Sequence, residues 1–290
     1  MDDPVGRPRE AVAGSRRSRI LGGHGEGGRN VWVALASTVV FIGLVTAAIV
    51  SSPGWPEVRR LFFNGQRFTE SFPEIGSAFV LNVKIFCLAE VVILGAALLV
   101  AVLRSLPGPV FFPVRALAVL YTDFFRGVPT ILVVYLLGFG VPALQLSGVP
   151  RSPFVWGIVG LVLVYTAYVA EVYRAGIESV HPSQEAAARS LGLSRGQALR
   201  FVILPQAVRR VVPPLLNDFI GLQKDSALVA LIGPVEAFRQ AQIDSAATFN
   251  YTPYVVTALL FVLLTIPLAR FTDWLIARGR RRRLAAGGTP

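Results

Sequence analysis

EAAARSLGLSRGQALRFVILPQAV, residues 185–208, is the stretch whose reading decides the fold. It carries Arg189, Arg195 and Arg200, bends at Gly192, is broken at Pro205, and lies between long apolar runs. Read locally, it belongs to two short helices. Pro182 suits a first helical turn, and Gln184–Ser190 continues with good helix formers. Gly192 is placed to end that helix in a left-handed cap. Ser194 and Gln197 have the S-x-x-Q spacing of a capping box, which starts a second helix running toward Pro205. Ala187, Ala188 and Leu191 give the first helix a small apolar face, with Glu185 and Arg189 elsewhere around it. Such a compact amphipathic knob suits either an interfacial helix on lipid or a docking element for another protein.

The surroundings are those of a membrane protein. Hydrophobic residues make up 53% of the 290 and only 16% are charged, where soluble domains carry about a quarter. The mean hydropathy is +0.59. The net charge of +11 comes almost wholly from Arg. Beside apolar runs of this length it reads as membrane topology rather than nucleic-acid binding. Cys87 is the only cysteine, and His24 and His181 are the only histidines. That excludes an intrachain disulfide and a Cys cluster for a metal. Neither a G-x-x-x-x-G-K-[ST] loop nor a G-x-S-x-G elbow occurs. No cofactor and no enzymatic chemistry are expected of this chain.

A helix needs about 20 apolar residues to cross the hydrocarbon, and six segments qualify: Val31–Val50, Ala78–Leu103, Ala116–Val141, Phe154–Val172, Val212–Ile232 and Tyr254–Ile276. The Arg residues cluster before the first span, between the second and third, after the fourth and after the sixth. The alternate loops are poor in Arg or balance it with Glu and Asp. The positive-inside rule then places both termini, and the 174–210 loop, in the cytoplasm. The leader at 1–30, with GGHGEGG at 22–28, is expected to be a disordered cytoplasmic tail. The 31–50 run is read as a retained extra helix, because no A-x-A site follows it. Residues 51–76 form an external or interfacial segment, 77–276 the core, and 277–290 a basic cytoplasmic tail.

Charges inside spans are informative, because an ionised side chain at the bilayer centre costs about 2.5–3.5 kcal/mol on insertion scales. Glu90 is midway along the second span. Asp123 and Arg126 are three apart and share a helix face, so they can pair. Arg126 precedes Gly127 and Pro129, where a helix bends, and broken helices commonly line substrate sites. Lys224 and Asp225 are adjacent, so they do not face each other, and one must find another partner, such as substrate or Arg126. Glu171 and Arg174, three apart at an inner end, suit a gate or a structural pair. An amino acid needs a carboxylate clamp and an amine acceptor. Arg126 could be the first and Asp225 or Glu90 the second, with Asn217 and Lys224 nearby in sequence.

These residues resemble a known family. Glu185-Ala186-Ala187, Gly192 and Ile203-Leu204-Pro205 are similar to the EAA loop of permease subunits of ABC importers. YTDFFRGVP at 121–129, AYVAEVYRAG at 167–176, LPQA at 204–207, PPLLND at 213–218 and LQKDSALVALIG at 222–233 resemble its polar amino acid subgroup. Together they cover roughly 70–276. Two departures stand out. Ala186 holds the position where the family places its Glu, one step after Glu185, and Ala227 replaces a hydroxyl residue.

The resemblance implies an all-α integral membrane fold, a five-helix permease core with one added N-terminal helix. It implies that Glu185, Ala186, Ala187, Gly192 and Arg195 lie on a coupling helix that enters a cleft on a separate ATPase subunit. The expected partners are that ATPase, an extracytoplasmic substrate-binding protein, a second permease chain, identical or homologous, and the bilayer, with no nucleic acid. The expected place is the bacterial cytoplasmic (inner) membrane, and the expected cargo a polar amino acid or similar small zwitterion. The rival from another class is an ion-coupled secondary transporter using Glu90 and Asp123. The inverted repeats that would support it are not found.

Overall fold

In a computed structural model, residues 27–285 are described, and they form helices and turns with no strand among them. Most of the expected leader, and the end of the basic tail, lie outside the described residues. The chain divides after Arg59 into two units, each taken by itself. The first holds α1 (Gly27–Val50). Its stretch Asn30–Val50 is uncharged and exposed along its whole length, as a helix surrounded by lipid is. The boundary falls within α2 (Trp55–Phe62), an amphipathic helix with no buried residue.

The second unit is built on α3 (Gly65–Arg104) and α7 (Pro153–Glu178). α3 begins well before the expected Ala78, because Asn64 caps it, its side chain accepting from the Arg67 N–H at 3.1 Å. Residues 65–76 of the expected interfacial segment are therefore its first turns. Between these helices the chain forms α4 (Phe112–Gly127), then α5 (Thr130–Tyr135), a π turn at Leu136–Gly140 and the short α6 (Val141–Ala143). α4 and the run that follows it meet at a 104° bend. Pro129 causes it, since proline cannot donate to the turn before it and disfavours helix at Val128.

After α7 come α8 (Pro182–Ser190), α9 (Arg195–Ala198), a second π turn (Leu199–Ile203), α10 (Leu204–Asp225), a 3₁₀ stretch (Ser226–Ile232), α11 (Ala237–Thr248) and α12 (Thr252–Ala285). Among the described residues four helices are long and apolar enough to cross a membrane, or five when the bent pair counts as one span. Six were expected. The segment that falls short is Val212–Ile232: it is helical, but Asn217, Asp218, Lys224 and Asp225 dilute it and its last seven residues are 3₁₀.

α7 is the central helix. Leu161, Tyr165, Val169 and Ala170 meet Ile85, Phe86, Ala89 and Ile93 of α3 and Leu222 of α10 in one buried cluster. α7 and α10 approach closely because Gly176 has no side chain. A Cβ there would run into Val211. A second, smaller cluster joins Ile75 of α3 to Ala237 and Ala241 of α11 and Val256 of α12. The corner before α3 is stitched to the corner before α12. Tyr251 N–H donates to the Leu61 carbonyl at 2.8 Å, Asn250 Nδ2 to the Arg60 carbonyl at 3.0 Å, and Asn64 N–H to Thr252 Oγ1 at 3.1 Å.

Candidate functional site

The knob is built from backbone rules. Gly192 has φ +88, a left-handed conformation that costs a residue with a Cβ. Its N–H donates to the Arg189 carbonyl at 3.0 Å, and Leu193 N–H to the Ala188 carbonyl at 3.2 Å. That pair of bonds is the Schellman closure of α8. Two residues after Gly192, Ser194 Oγ accepts from Gln197 N–H at 3.3 Å, while Gln197 Oε1 accepts from Ser194 N–H at 2.9 Å. Two helix ends are thus locked within four residues. At the other end of α8, the His181 side chain is the N-cap, accepting from Ser183 N–H.

The expected apolar face of α8 divides. Ala188 turns inward and is buried, while Ala186 and Ala187 are exposed and Leu191 is 81% exposed. The inward position is set by packing against α9 and the π turn. Glu185 and Arg195 face each other at 3.7 Å, both on the open side. Arg189 is exposed, and Arg200 lies over the Phe201 ring at 5.7 Å.

Pro205 does not end the helical run, against expectation. α9, the π turn and α10 run on without interruption from Arg195 to Asp225. Leu204 N–H reaches back five residues to the Leu199 carbonyl. This wider turn takes up the carbonyl strain of a proline whose N–H is missing, and places Pro205 in the first turn of α10, where none is needed.

A second group gathers at the end of α7. Glu171 accepts from Arg104 of α3 at 2.9 Å and is bridged by Arg174, which also holds Glu178. Arg126 of α4 lies 3.8 Å from the same carboxylate. Arg104 also donates to Thr122 at 3.0 Å. One carboxylate thus ties α3, α4 and α7 together. The Glu171–Arg174 pair is present, while the pairing that spacing allows between Asp123 and Arg126 is not made: Asp123 is exposed and makes no ion pair among the described residues. Instead of pairing with Asp225, the Arg126 guanidinium sits 5.9 Å from the Tyr168 ring.

A third group is acidic. Asp225, at the end of α10, accepts from the Tyr165 hydroxyl at 2.9 Å. Asp218, about two turns back along α10, carries a buried Oδ2 with no hydrogen-bond partner. Glu90 follows Ala89 on α3 and Asp218 precedes Phe219 on α10, and both of those neighbours pack in the cluster that contains Tyr165. Phe86 and Phe219 stack edge to face at 4.5 Å beside this group. Lys224 turns away, lining a groove of about 450 Å³ with Phe238, Tyr254, Phe261 and Thr265. Asn217 is exposed.

Several residues of these groups were not singled out from the sequence. Arg104 and Glu236 looked like loop charges, and Asn82 like a polar guest in a span. Glu236 is fully buried and caps α11, accepting from Phe238 N–H at 3.1 Å, Arg239 N–H at 2.8 Å and Asn82 Nδ2 at 2.6 Å. Burial pushes its carboxyl above the usual carboxylate range, while these hydrogen bonds pull it back. The signal was a Glu placed just ahead of a helix, with backbone N–H groups to satisfy.

Comparison with known proteins places this architecture. Residues 93–281 match the family described as binding-protein-dependent transport system inner membrane component. The chain is 36% identical over 196 residues to the probable glutamine ABC transporter permease protein GlnM of Bacillus subtilis, covering 67% of this chain and 87% of that one. It is 33% identical over 207 residues to the arginine transport system permease protein ArtQ of the same organism, covering 69% and 91%. Among solved structures, an amino acid ABC transporter with histidines matches with a TM-score of 0.66 and 31% identity, covering 75% of this chain and 98% of that one. The methionine transporter MetNI, at 18% identity and a TM-score of 0.56, shares the fold. The chain therefore belongs to the family of binding-protein-dependent transport system inner membrane components, as a multi-pass permease subunit on its amino acid branch, the transport component and not the ATP-hydrolysing one.

Proposed function

We propose that this permease imports a polar amino acid delivered by an external binding protein, and that the knob at 179–206 docks on a separate ATPase subunit on the cytoplasmic side. The observation that carries this reading is the continuity of the helix from Arg195 to Asp225. Its near end is the doubly capped knob, and its far end bears Asp218 and Asp225. A push on the knob is passed along one rod to the acidic group, because no loop intervenes to absorb it. α7 is pinned to the same rod, with Gly176 against Val211 and Arg210 bonded to the Ser179 carbonyl.

The acidic group formed by Glu90, Asp218 and Asp225 suits the ammonium of an amino acid, with Tyr165 holding Asp225 in place. Arg126, the candidate carboxylate clamp, is partly held by Glu171 and is 39% exposed, so it is free to exchange that partner for a substrate carboxylate. The named substrates of the relatives, glutamine and arginine, support the class. Arg asymmetry supports a cytoplasmic position for the 174–210 loop and both termini.

Leu191 is the most exposed apolar side chain of the knob, the kind of anchor that fills a partner's pocket. Leu191→Asp is expected to leave the permease inserted while the ATPase no longer co-purifies and uptake stops. Unchanged co-purification and uptake would place the ATPase contact elsewhere.

A further inference from the structure

Of the two helix ends that fix α8, one depends on protonation. His181 is its N-cap, with φ −59 and ψ 136. Ser183 N–H donates to His181 Nδ1 at 3.2 Å, and Ser183 Oγ lies 2.8 Å from the same nitrogen. A backbone N–H can only donate. Nδ1 must therefore carry a lone pair, which makes the imidazole neutral with its proton on Nε2. In the imidazolium Nδ1 is itself a donor. It can then donate to Ser183 Oγ, but Ser183 N–H loses its acceptor. Pro182 contributes no N–H, so Ser183 supplies the first N–H of α8.

We propose that His181 is a proton-sensitive cap, which holds the first turn of α8 when neutral and releases it when protonated. The usual N-caps, Ser, Thr, Asn and Asp, keep their acceptor throughout the neutral range. Histidine does not, and it is the side chain that ordinarily changes charge between about pH 5 and 8. The charged groups on the elements around α8 are otherwise engaged or point outward. Glu178 at the end of α7 is held by Arg174, and Glu185 on α8 faces Arg195 on α9. Arg210 on α10 donates to the Ser179 carbonyl. Arg189 on α8 is exposed, and Arg200 in the π turn lies over Phe201. Among the described residues none forms an ion pair with His181, so no carboxylate there rewards the imidazolium for losing the cap. The far end of α8 is closed by Gly192 whatever the pH. Acidification therefore frays the knob from one end only, the end that carries Glu185.

The effect on transport rests on the docking role given to the knob above, whereas the cap itself does not, and two readouts separate them. Hydrogen exchange of residues 181–190 is followed in the assembled complex of permease and ATPase at about pH 7.5 and about pH 5.5, a range spanning the usual titration of histidine, about 6.5. After correction for intrinsic exchange, opening of this segment is expected to rise about fivefold on acidification, the population change that follows loss of a side-chain cap. His181→Asn keeps an acceptor that does not titrate and is expected to abolish that rise. His181→Ala is expected to show the raised exchange at both pH values. Substrate-stimulated ATPase activity should follow the same order. Superimposed pH responses of wild type and His181→Asn in exchange would overturn the proposal. Exchange that follows the expected order, with ATPase activity indifferent to it, would support the cap and count against the docking role of the knob.

Discussion

Asn82 and Glu236 meet at 2.6 Å across 154 positions of sequence, Nδ2 donating to Oε2, in a site where neither is more than 1% exposed. The reciprocal bond runs from Ala237 N–H to Asn82 Oδ1 at 3.1 Å, and Asn82 Nδ2 also approaches Ser226 Oγ at 3.3 Å. The middle of α3 is thereby tied to the start of α11 and to the end of α10. Polar groups this deep must be satisfied by each other, because no water or lipid can replace the partner.

Glu236→Gln is nearly isosteric but brings an N–H₂ to a point where three donors already converge. At least one buried donor then faces another donor, at a cost of about 1–3 kcal/mol. Asn82→Ala should cost a similar amount by leaving Glu236 and Ala237 N–H each one partner short. Thermal unfolding in detergent is expected to show both variants less stable than wild type, with the double variant less affected than the sum, since the two losses overlap.

Gly192→Val should separate folding from coupling. Its φ of +88 is strained for a residue with a Cβ, by about 1–2 kcal/mol. No heavy atom lies within 4 Å of a Cβ placed there, so the penalty is conformational and not a clash. Membrane insertion is expected to be normal, while uptake and ATPase co-purification fall. Normal uptake in this variant would show the Schellman closure to be dispensable.

Gly176→Ala tests the approach of α7 to α10. Its added methyl would overlap Val211, and the neighbouring Ala207 carbonyl is 3.5 Å away. Overpacking of this kind costs about 1–3 kcal/mol. Val211→Ala in the same chain removes the obstructing methyls, so the double variant should recover much of the lost stability. Failure of that rescue in a melting series would mean that the backbone, and not Val211, sets the spacing.

Arg126 and Asp225 can be tested as substrate ligands in reconstituted vesicles. Arg126→Lys should impair uptake nearly as much as Arg126→Ala, because Lys lacks the forked guanidinium. Asp225→Asn should lower uptake with the complex still assembled. Tyr165→Phe frees the Asp225 carboxylate from its 2.9 Å hydrogen bond and should produce a milder defect of the same kind. Full uptake by assembled Arg126→Ala and Asp225→Asn complexes would assign both residues to structure alone.

Topology is checked by cysteine labelling in a Cys87→Ser background. A cysteine at position 194 should react with an impermeant reagent only after the inner face is opened, and one at position 147 in intact cells. Labelling of position 194 from outside would remove the knob from the cytoplasm.

The sequence alone determined what depends on a few neighbouring residues. Gly192, the Ser194–Gln197 box and the bend at Pro129 are local events, governed by φ, by missing N–H groups and by side chains reaching their own backbone. Long apolar runs marked the spans for a similar reason, since hydropathy sums along the chain. Tertiary structure decided which charges meet between helices, whereas the Glu171–Arg174 pair follows from spacing along one helix. By spacing Arg126 could pair with Asp123, a helical neighbour, and Asp225 was open to it as one partner, but Arg126 lies by Glu171 of another helix. Asp225 went to Tyr165 and Asn82 to Glu236. Spacing along one helix states which side chains share a face, but the partner across an interface is set by how closely two helices pack and in what register. Here that depends on contacts such as Gly176 against Val211, which belong to neither helix alone. Pro205 shows the same division. By its own chemistry it should end a helix, yet a π turn placed just ahead of it, with α10 held against α7 and α12, leaves the rod unbroken.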